Sequence, residues 1–148
     1  MSLWDWTLKA YAQPGVPEAC LRLQDDFGQN TDVLLWAVWA EAADPGLLTN
    51  AAEVAKAWEM TALVPLREVR RALKAPFPPI DDGAREGLRE DVKSAELRAE
   101  RVLMETLEAM TGHHRGGAHA LDALKAASAA WGRAAPDEEL AALAAALG

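Results

Sequence analysis

Isoleucine occurs once and valine eight times in 148 residues, against 32 alanines. β-branched residues fit pleated strands, and alanine loses no side-chain entropy in a helix, so this imbalance excludes a sheet-based fold. Cys20 is the only cysteine, which excludes an intramolecular disulfide. Its place in ProGluAlaCysLeuArgLeu reads as the buried side of a helix, a structural thiol with no histidine partner in sight. Lysine and arginine number 15 against 23 acidic residues, for a net charge of −8. A nucleic-acid binder gains affinity by neutralising phosphates, so nucleic acid and anionic membranes are not expected partners. No apolar run approaches the ~18 to 20 residues of a membrane span. The opening MetSerLeuTrpAspTrp has no basic n-region, so no signal peptide is read there and a cytoplasmic location is expected. The dinucleotide, P-loop, HExxH and GxSxG signatures are missing, and no catalytic residue, cofactor or metal is assigned. His113, His114 and His119 have no zinc-ligand spacing and read as part of a solvated loop.

What the chain does have is helix punctuation. Ser2 can cap a first helix with Asp5 three residues on. Its apolar positions are read as Trp4, Leu8 and Tyr11. ProGly at 14–15 breaks it, Pro17 suits the first turn of a second helix, and Gly28 suits that helix's end. Asn30 or Thr31 caps a third helix that is apolar almost all round and therefore central. Thr49 or Asn50 is expected to cap a fourth. Pro65 costs about 3 kcal/mol inside a helix, so that segment is expected to break or kink near 61–65. ProPheProPro at 76–79 marks an extended connector. A helix from about 82 to 111 follows, long enough to reach roughly 40 Å. Leu88, Val92, Ala95, Ala99 and Val102 step by four and three along it. Two alanine-rich helices close the chain. The expectation is one all-α domain, 1–148, an irregular bundle of six to eight helices. Residues 1–75 would form a tryptophan-rich compact part, 76–81 the connector, and 82–148 the long helix plus the C-terminal pair.

Three groupings carry possible function. Five of the six tryptophans lie in the first 58 residues. Bulky core is the plain reading, but Trp4 and Trp6, two apart, cannot share a helix face, so one could line a groove. Gln24, Asp25, Asp26, Gln29 and Asn30 gather around one helix end, as caps or as a polar recognition corner. Arg67, Arg70, Arg71 and Lys74 fall at i, i+3, i+4 and i+7, a basic face opposite Leu66, Val69 and Leu73. Such a face either clamps an anion or pairs internally with carboxylates of the 81–108 helix.

LeuTrpAspTrp at 3–6, TyrAla at 11–12, ProGlyVal at 14–16, AlaCysLeu at 19–21, LeuGln at 23–24, GlyGlnAsn at 28–30 and LeuLeuTrp at 34–36 together resemble a known family. ProLeuArg at 65–67 and ArgArg-x-LeuLys at 70–74 agree with it. The family is the proteobacterial domain of unknown function 2390, and the resemblance covers about residues 1–75. It implies a bacterial, cytoplasmic protein and no particular reaction.

The function expected is a non-enzymatic protein-interaction or regulatory module. It would use Arg67, Arg70, Arg71 and Lys74 with an aromatic groove at Trp4 or Trp6, and its partner would carry an acidic segment. The alternative is a binding protein or enzyme for a small anionic ligand. Its site would lie between the basic stripe and the Gln24–Asn30 corner, with Asp25 or Asp26 as acid or base. The stripe of the long helix is expected to support a homodimer.

Overall fold

The computed structural model describes residues 1–113 and 115–148. Among these residues all regular structure is helical. The order is α1 (Leu3–Tyr11), α2 (Val16–Phe27), α3 (Thr31–Trp39), α4 (Pro45–Trp58), a π-helical turn (Glu59–Leu63), α5 (Val64–Ala72), α6 (Asp82–Thr111), α7 (Ala120–Trp131) and α8 (Asp137–Leu147). None of these helices is long and apolar enough to cross a membrane. The contacts form two compact units, one of residues 1–55 with 104–148 and one of residues 56–103. The N-terminal helices thus group with α7 and α8, whereas the sequence reading grouped them with everything up to residue 75.

In the first unit α3 is the central helix, as its all-round apolarity requires. Leu34, Leu35, Trp36 and Ala37 are fully buried, and the main partner is α7, through which Ala123, Leu124 and Ala127 are buried. α2 packs on α8, and α7 on α8. Ser2 caps α1, accepting from the Asp5 amide, and Asn30 caps α3, accepting from Val33. Gly28 ends α2 with φ +63, a conformation that spares glycine the usual side-chain clash.

Two local readings change. α1 buries Leu3, Thr7 and Ala10, not Leu8 and Tyr11, which are 53% and 38% exposed. The Glu108 carboxylate receives the Leu3 amide at 2.6 Å, at the positive end of α1. α4 is capped by Asp44, not by Thr49 or Asn50. The Asp44 carboxylate accepts from the Leu47 amide at 2.8 Å, and Pro45 opens the helix where its missing N–H costs nothing.

Side chains from distant positions then pin the elements. The Trp36 indole donates to Thr111 Oγ1 at 2.7 Å, and the Trp39 indole to the Met1 carbonyl. Arg115 donates to the Trp39 carbonyl and lies over the Trp39 ring, 4.6 Å from its centre. Beside it the Gly116 amide meets the Ala40 carbonyl. A Cβ at Gly116 would stand 2.4 Å from the Glu41 carbonyl oxygen, so only glycine permits this approach.

The second unit is an antiparallel helical hairpin. Pro65 neither breaks nor sharply ends the helix before it. The chain widens into the π turn, where the Val64 amide reaches the Glu59 carbonyl five residues back. This absorbs the proline without a break. The Trp58 indole donates to the Ala99 carbonyl at 2.8 Å. At the other end Arg85, 5% exposed, donates to the carbonyls of Leu73 and Lys74 and pairs with Asp82 and Glu86. A guanidinium thus closes the C-terminal end of α5. The Asp81 carboxylate caps α6 through the Ala84 amide.

Candidate functional site

The basic stripe is real but half consumed. Arg70 Nε donates to Glu96 Oε2 at 2.6 Å, and Arg67 Nε lies 3.7 Å from Glu96 Oε1. Both pairs lie on the hairpin's partly buried polar flank. Burial and the neighbouring Glu96 raise the pKa of Glu100, while Arg67 and Arg70 act to lower it. Arg71 and Lys74 are exposed. The internal-pairing reading therefore holds for Arg67 and Arg70, and two cations of the four remain on the surface.

The same hairpin leaves its other flank open. Leu66 and Val69 of α5, with Leu73 at its C-cap, lie opposite the arginines. Leu88, Ala95 and Val102 of α6 share one edge of that helix, beside Val92 and Ala99. Val69 is 46% exposed, Leu88 52% and Val102 40%. Two helices bury only part of each other's apolar face, and these residues are the part left over.

The polar corner belongs to the other unit. Gln29 is buried and fully used. Its Nε2 donates to the carbonyls of Arg133 (2.9 Å) and Phe27 (3.3 Å), and its Oε1 accepts from Ser128 Oγ at 2.9 Å. Ser128 Oγ in turn accepts from the Ala135 amide at 2.8 Å. Asn30 serves as a cap. Gln24 is half-exposed, and Asp25 and Asp26 are exposed. The network holds the 132–136 turn against the end of α2. Between them lies a cleft of about 620 Å³ lined by Asp26, Phe27, Gly28, Trp131, Arg133, Ala134 and Pro136. The Trp131 indole is held by the Gly28 carbonyl at 2.9 Å. Sequence reasoning missed Ser128, Trp131 and Arg133 as members of this corner. The one available signal was Ser128, a polar residue in an alanine run, one helical turn after the apolar Leu124.

Trp4 and Trp6 are half-buried on α1 and do not line this cleft. They share a unit with Gln24, Gln29 and Asn30, whereas Arg67, Arg70, Arg71 and Lys74 belong to the hairpin. Cys20 is buried near the Tyr11 hydroxyl. Burial pushes the Cys20 thiol up to about 11, with nearby Asp32 adding to the rise. At neutral pH it is a protonated core residue rather than a thiolate nucleophile. Burial raises the Tyr11 hydroxyl pKa as well. His113 and His119 are exposed, and His114 lies outside the described residues. Among the described residues no cluster of three or more His, Cys, Asp or Glu is arranged to hold a metal.

Fold and site together define a small all-α protein with a closed helical unit and a helical hairpin. The chain belongs to the family described as protein of unknown function (DUF2390), which matches residues 2–107. The match runs past the first 75 residues and into α6. No curated protein and no solved structure matches the chain.

Two outcomes follow from this geometry. Arg70→Ala, which leaves Glu96 beside Glu100 with only the longer Arg67 ion pair, is expected to lower unfolding stability by about 1.5–3 kcal/mol. Arg71→Ala and Lys74→Ala together should stay within about 0.5 kcal/mol; chemical denaturation measures both. The second concerns alkaline pH. In the unfolded chain the Cys20 thiol ionises near 9, while the folded chain holds its proton to about 11. The contribution is complete below pH 9 and is lost as pH rises through 11, at up to about 1.4 kcal/mol per pH unit. Unfolding curves from pH 8 to 10.5 should therefore fall more steeply for the native chain than for Cys20→Ala.

Proposed function

We propose that this is a bacterial, cytoplasmic, non-enzymatic interaction module, and that its docking face is the open apolar flank of the 56–103 hairpin. One observation supports this above the others. Val69, Leu88 and Val102 stand exposed along the two helices of a hairpin whose own interior is thin. Exposed apolar residues gathered on one surface mark sites where another chain binds. The basic stripe plays a smaller part than its spacing suggests. Two of its cations are tied to Glu96, which leaves Arg71 and Lys74 to bias the choice toward a partner with an acidic segment. The test is capture from a bacterial extract on immobilised protein, beside a Val69→Glu/Leu88→Glu variant with an unchanged helical circular dichroism spectrum. A species should be held by the native protein, lost by the variant, and rebound after purification. Identical capture by both would sink the assignment to this flank.

A second reading is favoured by the Trp131 cleft. There the polar corner meets Arg133, not the Arg67–Lys74 stripe, and an aromatic wall beside a guanidinium suits a small anion with a flat apolar part. In a thermal-shift panel of aromatic carboxylates and nucleotides, a ligand at 100 times its Kd should add about 2.7 kcal/mol. The gain should vanish in Arg133→Ala. A flat panel, or a gain that survives the substitution, removes this reading.

A further inference from the structure

We infer that the partner of the hairpin is a second copy of this chain, docked antiparallel along α6 about a two-fold axis at Ala95. This rests on the proposed use of the apolar flank. The open edge of α6 is built symmetrically about one residue. Leu88 lies seven positions before Ala95 and Val102 seven positions after, so reversing the helix about Ala95 places each on the other. Ala95 itself is exposed and small, and small residues let two helices approach closely at the crossing point.

The charges obey the same symmetry. Asp91 lies four positions before Ala95 and Arg98 three after, both on the same side of the seam and both exposed. No ion pair is formed by either side chain among the described residues. In the antiparallel pair Asp91 of each copy comes within reach of Arg98 of the other, giving two equivalent ion pairs. A parallel pair would put these residues on opposite sides of the seam in the two copies, and neither ion pair would form.

The apolar positions 88, 92, 95, 99 and 102 alternate steps of four and three, the spacing of a helix that packs on two neighbours in a four-helix bundle. Residues 62, 66, 69 and 73 repeat that spacing across the π turn and α5. The end of α4, α5 and its C-cap occupy one neighbouring position of α6 through Trp58–Ala99, Arg70–Glu96 and Arg85–Leu73. The second position is open. A second hairpin fills it for both helices at once, and an isologous two-fold contact is the commonest way for a chain to close such a face.

The full chain is tested by sedimentation equilibrium from 1 to 100 µM and by disulfide trapping in a Cys20→Ser background. The native chain should reach a dimer within that range. Ala95→Cys should cross-link to itself, since a disulfide needs Cα atoms about 4.4–6.8 Å apart. Leu88→Cys should link to Val102→Cys and not to itself. Asp91→Arg should weaken the dimer roughly two- to thirty-fold through its two copies of the ion pair, and Asp91→Arg/Arg98→Asp should restore it. Sedimentation as a monomer throughout, or Leu88→Cys linking to itself, overturns the inference. If the chain is monomeric but Val69→Glu/Leu88→Glu still loses a captured species, the docking face stands and its partner is another protein. If capture is also unchanged, both readings fall.

Discussion

Alanine lets helices approach closely but supplies little apolar area at each contact. That trade governs the first unit. Ala37, Ala51, Ala52, Ala55, Ala123 and Ala127 are all buried beside Leu34, Leu35, Trp36 and Leu124, and the alanines add little shape of their own to the register. A few long-range hydrogen bonds from large side chains add to it. Trp36 reaches Thr111, Glu108 reaches the start of α1, and Gln29 reaches both Ser128 and the 132–136 turn. Each joins positions far apart in the chain, and each sits where a missing partner would leave a poorly solvated polar group. The tryptophans earn their frequency here as much for the indole N–H as for the ring.

The hairpin meets the same shortage differently. Leu63, Ala99 and Leu103 are its buried apolar residues, and it relies on charge-assisted bonds at both ends and in the middle. Arg85 satisfies the last carbonyls of α5, and Glu96 ties α6 to Arg67 and Arg70. This arrangement has a cost. Glu100 sits near Glu96, and burial opposes its ionisation. The polar flank is therefore occupied with holding the hairpin together, and the surplus lies on the apolar flank.

Much of the local structure was legible in the sequence because it is written in short-range chemistry. Ser2, Gly28 and Asn30 mark ends through the residue's own backbone preferences. The Pro76–Pro79 stretch marks the gap between α5 and α6, although it turns, with the Ile80 amide on the Phe77 carbonyl, where an extended connector was expected. Pro65 was legible as a disturbance but not as a π turn, since the choice between break and bulge depends on whether the flanking helices are held in line. Leu8 and Tyr11 misled because their spacing matches that of Leu3, Thr7 and Ala10. The packing of α1 on α2 and α3, which spacing does not reveal, distinguishes the two faces. The grouping of α7 and α8 with the N-terminal helices was not legible at all. It rests on Gln29, Ser128 and Trp131, which are about a hundred residues apart in pairs.

The basic stripe shows why charge spacing alone cannot locate a working surface. Four cations at helical intervals look the same whether they face solvent or a neighbouring helix, and the deciding fact is the position of one acid on another element. Glu96 stands 22 to 29 residues beyond the stripe; its two oxygens accept from Arg70, and Arg67 lies 3.7 Å away as an ion pair. Apolar spacing is less ambiguous. The heptad-spaced residues of α6 show which side of it α5 covers: Ala99 and Leu103 are buried, while Leu88 and Val102 are 52% and 40% exposed. The arginines thus hold the hairpin together, while its exposed apolar residues take no part in that pairing.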